Sequence, residues 1–500
     1  MTENLGLLRR RLAEVDNLNM ANAVLGWDQR TYMPARGAEA RARQKATLAR
    51  LAHELHVAPA TRDALAGAAL ETAQLPADHD DAAFVRQATR DFEKVVRLPE
   101  SLVVALAETE SLAEEQWVVA RSGSDYSRFA PWLARLLDLK RQYAAAVAPG
   151  VPIYDALMDD YEPGCTTAAI DPLFAALKAQ TVPLLASIAE RGRAVSDDPL
   201  RRHFEPEDQR RFIARIIQDC GFDFQRGRLD PTVHPFCTSF SPNDVRITTR
   251  YDADWLPGSL FGCLHEMGHA FYEMNVDPAY EATPLAGGVS LGVHESQSRL
   301  WENLVGRSLG FWTHYYPALQ KASPALHDVP LADFHRAINK VGRSLIRVEA
   351  DEVTYNLHII LRYEMEVALL TGHLSVADAP AAWNDKMKTL LSLTPPDDRN
   401  GILQDVHWSH GAFGYFPTYT LGNILSVQIY EAAVAAHPMI PTDLAAGKFD
   451  HLFHWLKENI HRPGKKYLPG DLITRATGRP LTTEPYMNYL KNKVSEIYGL

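Results

Sequence analysis

Apolar residues recur three and four positions apart along most of this 500-residue chain, the spacing of helices that bury one face. Over 1–150 the pattern runs through stretches rich in Ala, Leu, Arg and Glu, interrupted at Met33-Pro34-Ala35-Arg36-Gly37, Leu75-Pro76, Leu98-Pro99 and Ala148-Pro149-Gly150. Further helices are predicted over 171–193 and 206–220. The texture changes at 231–251, where Val233, Phe236, Thr238 and Phe240, then Val245, Ile247, Thr248, Thr249 and Tyr251, form β-prone runs broken by Ser241-Pro242-Asn243-Asp244. A small hairpin is predicted there. Helical spacing resumes to the C-terminus, with glycine-rich or proline-rich interruptions at 284–292, 394–400 and 411–422. The pattern predicts an all-α, predominantly helical fold with a small β-hairpin element beside a deep groove. It divides the chain into an N-terminal helical region, 1–150, and a second region, 151–500, that carries the chemistry; the two are read as one continuous structural unit.

Just after the predicted hairpin stands His265-Glu266-Met267-Gly268-His269. On a helix, residues four apart share a face, so both imidazoles address one metal ion while Glu266 reaches a water in its open position. Such a string also arises by chance, and its surroundings decide its weight. Leu260, Phe261, Leu264, Ala270 and Phe271 flank it with the side chains of a buried helix, and Pro257 stands where a first turn tolerates proline. A solvated, charged helix face would not be walled in this way.

Two histidines leave a catalytic zinc one protein ligand short. Glu295 supplies the best third ligand, 26 positions after His269, in a segment of helical spacing that follows the turn Gly287-Gly288-Val289-Ser290-Leu291-Gly292. His294 competes with it; adjacent helical residues point about 100 degrees apart, so only one of the two easily faces the metal. Glu302, two turns beyond Glu295, is placed either to orient a ligand imidazole or to form an ordinary buried ion pair. In this arrangement Zn²⁺ acidifies a water and Glu266 takes its proton, returning it to the leaving amine. The loop 407–419 holds His407, His410, Tyr415 and Tyr419, a set of donors suited to developing negative charge.

Composition narrows the alternatives. The formal charge of -11 argues against a nucleic-acid surface as the main function. The N-terminus lacks the apolar stretch of a secretion signal, and no segment of spanning length without charges is evident, so a cytoplasmic, non-membrane protein is expected. Cys165, Cys220, Cys237 and Cys263 have no C-x-x-C spacing, which suggests neither a zinc ribbon nor a disulfide framework.

A longer series of motifs now bears on the reading. His234-Pro235-Phe236, Asp244-Val245-Arg246-Ile247-Thr248, His265 to His269, His294-Glu295-Ser296-Gln297, Ile346-Arg347-Val348-Glu349-Ala350-Asp351 and Gly401-Ile402-Leu403-Gln404-Asp405-Val406-His407-Trp408 resemble, in order, the signatures of the carboxypeptidase Taq family. Trp27-Asp28 with Met33-Pro34, and Tyr154-Asp155-Ala156-Leu157 with Tyr161-Glu162-Pro163-Gly164, resemble its N-terminal portion. The resemblance implies a cytoplasmic metallocarboxypeptidase acting on peptides with a free C-terminus, a helical fold with a long groove, a homodimer, and Zn²⁺ or sometimes Co²⁺. It implies His265, His269 and Glu295 as ligands and Glu266 as general base, in agreement with the residue-level reading.

A free α-carboxylate is well matched by an arginine fork. Arg347, in the family's I-R-x-x-A-D pattern, is the first choice and Arg246 the second, with a structural ion pair from Arg347 to Asp351 as the competing reading. Arg246 and His234 are expected to shape the closed end of the groove, and Tyr419, His410, Tyr415 and His407 to assist the transition state. Two other functions fit parts of the pattern: a zinc oligopeptidase cutting internally, and a non-enzymatic helical peptide-binding protein with a structural metal.

Overall fold

A computed structural model describes residues 3–500. The chain forms two compact units, each assembled from three separate segments. Met1–Val95, Ser196–Ile338 and Leu425–Leu481 make the first; Val96–Val195, Asn339–Ile424 and Thr482–Leu500 make the second. Residue 150 falls inside the second unit, and neither unit is a continuous stretch of chain.

Both are predominantly helical. The predicted breaks at 33–37, 75–76 and 98–99 fall between helices Glu3–Thr31, Ala38–Val57, Pro59–Thr72, Asp80–Val96, Glu100–Gly123 and Tyr126–Val147, and the break at 148–150 follows the last; further breaks at Ala58, before Pro59, and at Ser124-Asp125 were not predicted. Helices Thr167–Arg191 and Pro206–Asp219 lie where periodicity places them. The interruption expected over 411–422 ends earlier, because Pro417 opens the helix Pro417–Ala436 as a first-turn proline and Gly422 lies inside it.

The first unit contains a three-stranded sheet, β1 (Gly227–Pro231), β2 (Cys237–Ser241) and β3 (Asp244–Thr249), in the order β1-β3-β2. β2 and β3 form the expected antiparallel hairpin, with Cys237 opposite Ile247 and an irregularity between Ser239 and Ser241. β1 runs parallel to β3, Leu229 opposite Ile247. It escapes sequence reading because Gly-Arg-Leu-Asp-Pro has no β-branched residue and ends in proline. Val245 and Ile247 turn inward from β3 and are buried.

Against β2 and β3 lies the helix Leu256–Asn275, with Pro257 in its first turn. Apolar residues surround it on nearly every side, as they must in a helix covered all round. Besides the sheet, Pro206–Asp219 and Leu291–Arg299 pack on it. The last contact is very close: a Cβ built on Gly268 would lie 2.5 Å from both Gln297 O and Ser298 Cα. From the other side, the buried His461 donates to Gln297 Oε1 at 2.8 Å.

In the second unit, Thr167–Arg191 is the one helix among the described residues with the length and composition to cross a membrane. Its Ile170, Phe174, Leu177 and Leu185 are buried, and it packs on Tyr355–Thr371 and Glu484–Tyr498. Asp171 accepts from the Tyr363 hydroxyl at 2.6 Å, and Lys178 pairs with Glu364 at 2.6 Å. Glu366, on Tyr355–Thr371, is buried and accepts three hydrogen bonds, from Tyr154 Oη, Trp408 Nε1 and Gly414 N, tying the 407–414 loop to the helix layer.

The contact at Gly268 yields a direct test. Gly268→Ala should force the two helices apart and lower stability by about 1–3 kcal/mol, the ordinary cost of overpacking. Urea unfolding measures it, and an unchanged midpoint would show that the interface accommodates the methyl group.

Candidate active site

Leu256–Asn275 presents His265 and His269 one turn apart, their rings 4.9 Å apart and nearly perpendicular. The next helix, Leu291–Arg299, begins where the Ser290 hydroxyl accepts from Val293 N at 3.1 Å, the bond of an N-cap serine. Its first turn is fixed close to the preceding loop, since a Cβ on Gly288 would lie 2.6 Å from His294 Cδ2. So positioned, Glu295 Oε2 stands 3.7 Å from His265 Nε2 and 3.5 Å from His269 Nε2. The three ligand atoms all lie within 4.8 Å of one another. Bonds of 2.0–2.2 Å to a tetrahedral zinc imply edges of roughly 3.3–3.6 Å, so the Glu295 oxygen stands at a fitting distance from each imidazole nitrogen.

Each candidate ligand is oriented from behind. For both Nε2 lone pairs to face the ion, each Nδ1 must carry the proton. His265 Nδ1 then donates to Glu302 Oε2 at 3.0 Å. His269 Nδ1 donates to His294 Nδ1 at 2.5 Å, and His294 Nε2 donates to Glu273 Oε1 at 2.7 Å. Arg299 Nε donates to Glu295 Oε1 at 2.7 Å, which leaves Oε2 for a metal. Imidazole ligands backed by carboxylates are the usual means of fixing tautomer and ring direction.

The helix bearing Glu295 widens into a π-turn over Leu300–Val305, and Glu302 sits on it. Arg299 and Arg307 both reach its carboxylate, at 3.3 Å each. Burial alone would raise the acids here. Instead Arg299 and the two histidines hold the Glu295 carboxyl well below the usual range, and Arg299 with His265 brings Glu302 down to about 2. Glu266 differs: it is 8% exposed, and burial pushes its pKa up to about 7 against the opposing influence of His265.

A second constellation lies wholly in the other unit. Arg347 is 5% exposed, and its Nε and Nη2 donate to Asp405 Oδ1 at 3.0 and 2.8 Å while Nη1 donates to Tyr355 Oη at 2.8 Å. The Tyr419 ring lies beneath its guanidinium, 5.0 Å from ring centroid to Cζ, and Tyr419 Oη is 3.2 Å from His407 Nε2. The Tyr415 ring packs on both His407 and Tyr419. Arg347, His407, Tyr415 and Tyr419 are thus brought together.

Of the other three candidates, two have local partners and one is exposed. His410 is 46% exposed at its side chain and pairs with Glu114 at 3.2 Å. His234 is exposed between β1 and β2. Arg246 forks onto Asp244 through two 2.9 Å bonds and lies over the Trp27 ring. The ion pair from Arg347 to Asp351 does not form. Asp351 instead accepts from Val353 N, Thr354 N and Thr354 Oγ1, at 2.8, 3.2 and 2.7 Å, at the start of Tyr355–Thr371.

Sequence reading passed over Glu273, Arg299, Arg362 and Asp405 as supporting groups. Glu273 and Arg299 carried a signal, each four residues after a ligand and therefore on its face. The pairing of Asp405 with two arginines, 58 and 43 residues distant, carried none.

Paired histidines on a buried helix and a carboxylate from the next helix form a group that could hold a metal ion, with a further buried acid, Glu266, beside them. Comparison with known proteins specifies the class. The sequence profile described as carboxypeptidase Taq (M32) metallopeptidase matches residues 7–494. Thermostable carboxypeptidase 1 of Thermus thermophilus is 44% identical over 99% of both chains, and carboxypeptidase 1 of Bacillus subtilis 39% over 98% of this chain and 97% of its own. The crystal structure of the M32 carboxypeptidase from Deinococcus radiodurans R1 superposes with a TM-score of 0.96 at 42% identity, covering 99% of this chain and all of that one. The chain belongs to the carboxypeptidase Taq (M32) metallopeptidase family and is a metallocarboxypeptidase, with peptides as its substrates.

Because Glu302 holds the His265 tautomer, Glu302→Gln should weaken metal affinity about 10–100-fold, the usual cost of losing such a partner. Competition against a chelator of known affinity measures this; unchanged affinity would mean that Glu302 serves only Arg299 and Arg307.

Proposed function

We propose that this metallocarboxypeptidase is a zinc enzyme, that His265, His269 and Glu295 hold the ion, and that Glu266 is the general base. The observation that carries the assignment is the convergence of three ligand atoms within 4.8 Å, each residue braced by its own partner: Glu302, His294 or Arg299. Two imidazoles and one carboxylate are a donor set suited to catalytic zinc, and cobalt suits the same set. When bound, the ion supplies Lewis acidity and a water acidified towards neutral pH. Glu266, next to His265 on the same helix, takes the proton of the attacking water and returns it to the leaving amine.

Arg347 is the anchor for the substrate's terminal carboxylate in this reading. Asp405 and Tyr355 engage three of its five N–H donors, and the remaining two suit a planar anion. Tyr419 and His407 are polar groups for the developing oxyanion, and burial pushes the His407 pKa down to about 4, so it meets the substrate neutral. Tyr415 packs against both. His410 and Arg246 each have a local partner, Glu114 and Asp244, and no role is assigned to them or to the exposed His234 in this reading. The reading also includes a homodimer in the cytoplasm; light scattering checks the first, and cell fractionation the second.

Glu266→Gln should lower kcat by a factor on the order of 100–10,000 while metal content stays at the parental level. Chelation should abolish activity and zinc restore it; turnover by Glu266→Gln near the parental rate would remove Glu266 as base.

Arg347→Ala should raise KM for peptides with a free C-terminus by at least about tenfold. Equal rates on C-terminally amidated peptides would overturn the anchoring of a free carboxylate.

A further inference from the structure

Arg362 projects from Tyr355–Thr371 with 0% exposure, and a buried cation of this kind persists only when paired. Its Nε donates to Asp405 Oδ2 at 2.6 Å and its Nη2 approaches the same oxygen at 2.5 Å. Nη2 also donates to Gln404 Oε1 at 2.7 Å and Nη1 to His358 O at 2.7 Å. Arg347 takes the other oxygen of Asp405 through its own fork, and its backbone N donates to the same Gln404 Oε1 at 2.9 Å. One carboxylate therefore serves two guanidinium groups.

Of the neighbouring acids, only Glu366 bears on that balance, and it acts through Arg362. Burial keeps His358 and His407 neutral, with pKa values pushed down to about 3 and about 4. Glu366 lies one turn beyond Arg362 and attracts it electrostatically, but burial pushes its pKa up to about 7 and its hydrogen bonds come from Tyr154, Trp408 and Gly414, not from either arginine. Tyr355 accepts from Arg347 Nη1, and the Tyr419 ring lies beneath the same guanidinium.

We propose that Arg362 is a positioning residue for terminal-carboxylate recognition: by holding one oxygen of Asp405 and sharing its charge, it leaves Arg347 fixed in direction yet incompletely neutralised, ready for a second anion. The proposal rests on the reading of Arg347 as the carboxylate anchor. Were Arg362 absent, Asp405 and Arg347 would close into a neutral pair with little attraction left for substrate. The buried anion is thus kept from satisfying the arginine it orients.

Charge replacement in the full enzyme tests this. With a free C-terminal peptide, Arg362→Met should raise KM about tenfold or more with kcat within about threefold, and Arg362→Lys should rescue KM to within about threefold of the parent. The double variant R362M/D405N removes both charges and should bring KM back below that of R362M by about threefold or more. A double variant binding as poorly as R362M, or worse, overturns the proposal, as does R362K behaving like R362M. Should R362M not fold, the KM of R362K decides alone. Arg347→Ala, assayed alongside, separates the two levels: unchanged KM there removes the anchor itself, whereas KM raised in R347A but unmoved in R362M removes only the role of Arg362.

Discussion

The approach of two helices at Gly268 is the constraint on which the metal centre depends. Any side chain larger than hydrogen at that position meets the backbone of Gln297 and Ser298, so Leu256–Asn275 and Leu291–Arg299 lie together only because a glycine stands between His265 and His269. Their contact brings Glu295 to the two imidazoles and seats His294 behind His269. The same glycine lies within the motif His265 to His269, between the two candidate ligand histidines, and sets the distance between the two helices. Helix Leu256–Asn275 is in turn held by the sheet on one side and by the Gln297–His461 contact across the adjoining helix.

Carboxylates shared between partners recur in both units. Glu295 divides its oxygens between Arg299 and the ligand position, Glu302 between His265 and two arginines, and Asp405 between Arg347 and Arg362. A buried ion is costly unless its lone pairs are occupied, and a shared carboxylate meets that condition while directing two groups at once. Glu266 stands apart: it is buried without a strong cationic partner of its own, which raises its pKa where those of Glu295 and Glu302 fall. Environment rather than residue type separates Glu266 from the other two, as the proposed roles of base and ligand require.

Local features were legible in the sequence and distant ones were not. Helix periodicity located Thr167–Arg191 and Pro206–Asp219 within a few residues, and β-branched alternation located β2 and β3. β1 was invisible because its pairing with β3, not its own composition, makes it a strand. Helical spacing also predicts a helix between Ile338 and Tyr355, but that stretch is a loop with one short turn, Arg347–Glu349, and Arg347 is secured there by Gln404 and Asp405. Among site residues, the face-sharing of His265 and His269 followed from helix geometry, and Glu295 was preferred to His294 partly because Glu302 lies two turns further on its face; the three residues cluster as a group that could hold a metal. The loop 407–419 was read as one functional group, but its chain reverses direction around Gly411 and Gly414, both with positive φ, so His407 meets Tyr419 while His410 meets Glu114.

The bond from Arg299 to Glu295 has a consequence for the enzyme without its metal. A carboxylate whose only counter-ion were the metal would be stranded in the interior each time the ion departed, and the pocket would have to swell, hydrate or take up a proton to relieve it. Glu295 has a permanent counter-ion on its own helix, one turn away. A metal held at Oε2 would therefore come and go with Glu295 still paired to Arg299.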